Sequence, residues 1–184
     1  MPTSGQDIGP YYPVIRPADE DADLTRLRGA RGAAAGQPIN VMGRVLDGLG
    51  NPLRGARIEL WQANAVGRYA HPGDLRDDAA LDPNFQGYAL LTTDRDGAYK
   101  FRTIMPGAYK IPGDMRTPHI HFDVRGHAER LVTQLYFPGE PLNESDLIFK
   151  KATPRESVIA TAVARLSGDT GALAYRWDII LANG

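Results

Sequence analysis

Period-two runs of apolar residues, each cut short by glycine, proline or Asp-Gly, restrict what this chain can become more than any other feature. In Ala56-Arg57-Ile58-Glu59-Leu60-Trp61, Ile58 and Leu60 fall on one side and Arg57 and Glu59 on the other, the alternation of a half-buried strand. Residues 39–47, 87–93, 98–104, 118–124, 130–137 and 172–181 also read as strands, the last with Tyr175, Trp177 and Ile179 on one face. Turn chemistry separates them: Gly48-Leu49-Gly50-Asn51-Pro52 closes the first, and Asp94-Arg95-Asp96-Gly97 suits a tight hairpin between 87–93 and 98–104. With 20 Gly and 14 Pro in 184 residues, the predicted class is all-β: one domain, residues 1–184, built as an antiparallel β-sandwich with long active-site loops. Thr153-Pro154-Arg155-Glu156 reads as a capping box that opens one short late helix, ending near Leu166. Residues 1–36 read as an N-terminal arm and linker, because Pro10 and Pro13 hold residues 9–13 extended and residues 18–36 are charged and Ala/Gly-rich.

Composition then removes whole classes of chemistry. Without cysteine there is no disulfide, Cys-ligated zinc, iron–sulfur cluster or thiol nucleophile. Lys plus Arg is 21 against 22 for Asp plus Glu, which argues against nucleic acid or an anionic membrane as partner. Residues 1–12 lack a basic and an apolar leader region, and no apolar run is long enough to span a bilayer, so a cytoplasmic protein is expected.

Within Pro118-His119-Ile120-His121-Phe122-Asp123-Val124, strand parity sends both imidazoles to one face with Cα atoms roughly 7 Å apart, a workable bite for one metal ion. Ile120 and Phe122 then point into the core. His-x-His alone is a weak signal, so further donors matter. His71 borders the long polar loop 72–86, where Asp74, Asp77, Asp78 and Asp82 also lie, while His127 sits in a turn and is expected to be solvated. Asp123 shares the histidine face by parity and is the best carboxylate for a two-His, one-carboxylate Zn or Fe(II) site. Tyr69 and Tyr109 follow Gly67-Arg68 and Pro106-Gly107-Ala108, and residues 110–117, between Tyr109 and the histidine strand, read as a loop. A phenol ligates only where a strongly polarising cation drives its ionisation, and two such oxygens with two imidazoles suit Fe(III). Read from the residues alone, both sites remain open, as do tyrosines that merely pack on a sheet edge.

The segments Leu60-Trp61-Gln62-Ala63-Asn64-Ala65, Gly67-Arg68-Tyr69, Leu81-Asp82-Pro83-Asn84-Phe85, Phe101-Arg102-Thr103-Ile104, Pro106-Gly107-Ala108-Tyr109, Arg116-Thr117-Pro118-His119-Ile120-His121-Phe122 and Thr133-Gln134-Leu135-Tyr136-Phe137 together resemble the intradiol ring-cleaving dioxygenases, nearest to the protocatechuate-type members. The resemblance runs in order from about Gly9 to Leu181. It implies one non-haem Fe(III) held by Tyr69, Tyr109, His119 and His121, with Tyr109 the axial phenolate that leaves when a catechol binds. It implies further that Arg116 and Gln134 act beside the reacting carbons, that Trp61 and Ile111 line the substrate pocket, and that Tyr11, rather than Tyr12, approaches substrate. The implied reaction puts both atoms of O2 into a catecholic aromatic acid and gives a cis,cis-muconate. A homo-oligomer, with residues 10–35 reaching a neighbour, is the expected assembly. Ile111 stands where protocatechuate-type members often carry a second pocket tryptophan, so the ring substituent stays open. A progression from Gly43-Arg44-Val45 through Asp96-Gly97 to Pro106-Gly107-Ala108-Tyr109 also resembles transthyretin-like sandwich domains, most of which catalyse nothing; that reading gives no reason for Arg116, His119 and His121 to stand together.

Overall fold

The computed structural model describes residues 1–14, 16 and 19–184; Ala18, where the expected linker begins, lies outside them, as do Ile15 and Pro17. Eleven strands and few helical turns build it. They are β1 Pro38–Asp47, β2 Arg57–Trp61, β3 Tyr88–Thr92, β4 Ala98–Ile104, β5 Tyr109–Ile111, β6 Asp114–Arg116, β7 His119–Arg125, β8 Arg130–Tyr136, β9 Thr161–Val163, β10 Leu173–Arg176 and β11 Ile179–Leu181. Among the described residues the one α-helix, α1, is Leu147–Lys151. Among the described residues no helix is long and apolar enough to cross a membrane.

Strands β3-β2-β7-β8 form a wholly antiparallel sheet, and β1 carries the other main sheet with β4, β9, β10 and β11. Apolar residues of both sheets share one core: Val41 and Phe101 from one, Ile58, Leu60, Ile120 and Phe122 from the other. Phe122 is its hub, with ring centroids of Phe101, Tyr99 and Trp177 at 6.0, 6.3 and 5.0 Å. Each such side chain contributes roughly 1.5–3 kcal/mol by leaving water, so β7 is held firmly from behind.

Four expectations need correction. The fold is not purely antiparallel, because β1 pairs in parallel with β10 from Ile39 to Met42 and with β11 from Val45 to Asp47. The expected strand 172–181 breaks at Trp177 and Asp178. There Gly43 leaves no room for a Cβ against Trp177 O, and Asp178 Oδ1 accepts from Arg44 N at 3.0 Å, in place of a backbone partner. The turn 94–97 forms, with Gly97 at φ 69°, yet the strands it joins lie in different sheets: β3 pairs β2 and β4 pairs β1. The turn is therefore a corner between sheets rather than a hairpin. Finally, the late helix is absent. Arg155–Val158 is a single 3-10 turn, Ile159 bridges to Tyr136, and Thr161–Val163 is a strand on β10. The β-branched residues Val158, Ile159, Thr161 and Val163 favour the extended chain once a free edge is at hand, and this outweighs the capping signal.

Strand β2 is buried on both faces, which its alternation does not suggest. Ile58 and Leu60 join the main core, whereas Glu59 is 1% exposed beneath the N-terminal arm. Tyr12 Oη donates to its Oε2 at 2.7 Å, Tyr88 Oη at 3.0 Å and Arg16 at 3.0 Å. The arm is pinned farther back by Gln6 N to Val132 O at 2.8 Å and Thr3 N to Ile180 O at 3.0 Å. It thus roofs the face of the β3-β2-β7-β8 sheet that points away from the main core.

Candidate metal centre

On that roofed face β7 presents His119 and His121, 2% exposed each, with their Nε2 atoms 3.2 Å apart. His119 Nδ1 lies 2.6 Å from Thr117 O, a contact that only a protonated nitrogen makes, so the lone pair of His119 resides on Nε2. Trp61, opposite His121 in the register, stacks on it with centroids 4.9 Å apart and planes 4° from parallel. Burial, with the Arg116 charge nearby, holds both imidazoles well below their ordinary pKa, and so neutral and able to donate a lone pair.

Two loops bring the tyrosines. Asn64 Oδ1 accepts from Val66 N and Arg68 N, at 3.1 and 2.9 Å, folding a tight turn that Gly67 completes at φ 80°. The turn delivers Tyr69, whose backbone N–H donates to Asp74 Oδ2 at 2.9 Å. Asn64 O then accepts from both Gly67 N and Gly107 N, at 3.0 and 2.9 Å, so the loop before Tyr109 is fastened to the loop before Tyr69. The phenols meet edge to face with centroids 5.5 Å apart, and Tyr109 Oη lies 3.5 Å from His119 Nε2. Tyr69 Oη is buried with no hydrogen-bond partner, as is His121 Nδ1. Burial pushes the Tyr69 phenol well above its usual range, and raises that of Tyr109 against the lowering pull of Arg116.

Residues 110–117, expected to be a loop, form the hairpin β5-β6, in which Tyr109 is directly opposite Arg116. Arg116 is 3% exposed; its Nη2 donates to Gln134 Oε1 at 2.6 Å and its Nε to Asp146 Oδ2 at 2.8 Å. Gln134 Oε1 also accepts from Tyr136 Oη at 3.0 Å. Tyr11 comes down from the arm, 4.7 Å from Tyr69 and 6.2 Å from Tyr109 between centroids, while Tyr12 packs edge-on against Trp61. Ile111 packs against the same aromatic cluster. A cavity of about 130 Å3 opens beside it, lined by Tyr11, Arg16, Trp61, Tyr69, Gln86 and Tyr88.

Other candidates fall away. Asp123 does share the histidine face, but Arg130 takes its two oxygens at 2.9 and 3.0 Å and Arg125 adds a third contact at 3.3 Å, so it is not a ligand. Among the described residues no group of three His, Cys, Asp or Glu side chains could hold a metal. Asp74 is spent on Tyr69 N and Arg76 Nε, Asp82 on Ala35 N and Asn84 N, and Asp77 and Asp78 are exposed. His71 accepts from Gly73 N and packs beside Tyr11; His127 is exposed, near Arg54 O. Three buried groups around the centre have no clear signal in the sequence, Glu59 under the arm, Asp74 beneath Tyr69 and Asp146 behind Arg116, nor has the half-buried Arg76, whose guanidinium lies 4.7 Å from the Tyr109 ring centroid.

The chemistry of this donor set fits a hard, highly charged cation. Two neutral imidazole nitrogens already face each other, and two phenols have no better use for their oxygens in a buried site. A family model described as Dioxygenase matches residues 8–183. The chain is 45% identical over 185 residues to the protocatechuate 3,4-dioxygenase beta chain of Burkholderia cepacia, covering 96% of this chain and 74% of that one. It is 32% identical to the hydroxyquinol 1,2-dioxygenase of Rhodococcus opacus, over 98% of this chain and 64% of that enzyme. Among solved structures, the dioxygenase domain of a dioxygenase carbohydrate-binding protein fusion from Streptomyces sp. SirexAA-E matches with a TM-score of 0.75, 29% identity and full coverage of both chains.

Proposed function

Because this chain belongs to the intradiol ring-cleavage dioxygenases, we propose that it opens the ring of a catecholic aromatic acid with O2, between the two hydroxyl-bearing carbons, giving a cis,cis-muconate. Protocatechuate is the substrate to try first. Tyr69, Tyr109, His119 and His121 are the residues that would hold one Fe(III). What carries this reading is the convergence of two buried phenols on two imidazoles 3.2 Å apart at Nε2, with no carboxylate among the described residues free to join them. Bound there, Fe(III) would acidify the phenols and the substrate diol and draw electron density from the ring, which prepares it for O2.

The chain does the remainder. Tyr109 Oη, as phenolate, is the acceptor for one hydroxyl proton of the arriving diol. Arg116, opposite Tyr109 and fixed at two nitrogens, offers a preorganised cation to negative charge developing on substrate oxygen. Gln134 holds that guanidinium from the other side. Thr117 O keeps the His119 proton on Nδ1. Tyr11 and Trp61 wall the cavity, and the arm keeps water from the sheet face beneath. We read residues 1–184 as one β-sandwich domain of a cytoplasmic homo-oligomer.

Aerobic turnover of a panel of substituted catechols under 18O2 tests this. The expected product is a muconate with one labelled oxygen in each new carboxyl group. A semialdehyde, from opening beside the diol, or no ring opening across the panel, contradicts it.

A further inference from the structure

We infer that Asp146 is a positioning residue that fixes both Arg116 and the Thr117 backbone supporting His119, an inference that rests on the proposed function. Its carboxylate is fully buried, and each oxygen takes two donors. Oδ1 accepts from Ile148 N and Phe149 N at 2.8 and 2.9 Å, capping α1. Oδ2 accepts from Arg116 Nε at 2.8 Å and Thr117 N at 3.0 Å.

The helix does not explain the charge. An N-cap needs a side-chain oxygen, and Ser, Thr or Asn serve as well as Asp. Arg116 does explain it: among the described residues Asp146 is its sole ion-pair partner, and its other bond goes to neutral Gln134. A guanidinium this deeply buried needs one anion, and holding Nε orients the whole planar fork. Neither bond uses Nη1.

Thr117 forms the second link from Asp146 to the centre. Its N–H is held by Asp146, its Oγ1 donates to Asn143 Oδ1 at 2.9 Å, and its carbonyl receives the His119 Nδ1 proton. One carboxylate therefore ties the cation beside Tyr109 to the tautomer of His119. Both are anchored to α1, a five-residue helix that also packs Phe149 on Tyr136.

Asp146→Asn and Asp146→Ser both keep an oxygen for the cap and remove the anion. Each is expected to fold with a lowered Tm, because buried Arg116 loses its counter-ion, and to lose about 10–100-fold in kcat with KM little changed, the usual effect of removing a partner that orients a site group. In an Arg116→Gln background the same change should cost clearly less than it does in the wild type, because one of its two targets is gone and only the Thr117 link remains to be lost. In 15N-labelled protein, the Arg116 Nε–H resonance should be slow to exchange in the wild type and lost in D146N. Unchanged kcat in both variants would overturn the inference, as would losses that add fully to that of R116Q. If the wild type opens no catechol ring, the proposed function fails instead, and the resonance still decides the positioning: equal protection in wild type and D146N overturns it.

Discussion

Gly107→Ala tests how the two phenols are brought together. Gly107 packs backbone to backbone against the Tyr69 loop, and a Cβ there would stand 2.5 Å from Ala65 O and closer still to Gly67 N. Ordinary contact begins at 3.4 Å, so the loops must part by about 1 Å, and neither neighbour is a side chain that can swing away. The movement also strains the bonds from Gly67 N and Gly107 N to Asn64 O. Overpacking of this kind costs about 1–3 kcal/mol, and at this chain length each kcal/mol lowers Tm by roughly 2–4 °C. Activity should suffer more, because a shift of about 1 Å between groups that must act together is worth on the order of 100-fold in kcat/KM. Differential scanning calorimetry and steady-state oxygen uptake read the two effects. Gly171→Ala is the control, since nothing lies within 4 Å of its added Cβ, and it should behave as wild type. A G107A protein with native Tm and native kcat/KM would refute the idea that loop contact sets the phenol spacing.

Further outcomes follow from single residues. Hydrogen bonding from Arg76 and the Tyr69 and Arg76 backbone overcomes the upward push of burial and holds Asp74 below its ordinary pKa. Its contribution, about 1.5–3 kcal/mol for a charge-assisted bond, is therefore complete above the unfolded value of 3.8 and lost as pH falls through the lower folded one. The Tm gap between wild type and Asp74→Asn should accordingly close below about pH 4. Glu59→Gln should speed hydrogen exchange in residues 9–14 and raise KM several-fold, because Tyr12 and Arg16 lose their anion; unchanged exchange would mean the arm is held elsewhere. Ile120→Ala removes a fully buried side chain on the face opposite the histidines and should cost about 2–5 kcal/mol while kcat at 25 °C stays near native. Asp123→Asn should leave iron stoichiometry at wild-type level, and loss of iron would revive the carboxylate site.

Strand parity made much of the centre readable. The spacing of His119 and His121, and the burial of Ile120 and Phe122 behind them, follow from the two-residue repeat alone, and the structure keeps both. Parity also put Asp123 on the histidine face, but it could not reveal that Arg130 and Arg125 would claim the carboxylate from neighbouring positions. The tyrosines carried no local signal for meeting, because their approach depends on one carbonyl, Asn64 O, receiving N–H groups from two loops 40 residues apart in the chain. The β5-β6 hairpin did have a sign, the Pro112-Gly113 turn with Gly113 at φ 80°, and it goes unread when residues 110–117 are taken as loop. Glu59 and Asp146 look like surface carboxylates in sequence. Only the arm over one and the chain folding back to Arg116 over the other make them buried.

Visible absorption of the iron-loaded protein bears most directly on the claim that two phenol oxygens and two imidazoles hold one ferric ion. Wild type should show a broad phenolate-to-iron band with one iron per chain. Tyr69→Phe and Tyr109→Phe should each weaken and shift that band, and substrate should change it. A colourless protein with one iron bound per chain, or a band indifferent to both substitutions, would contradict the account.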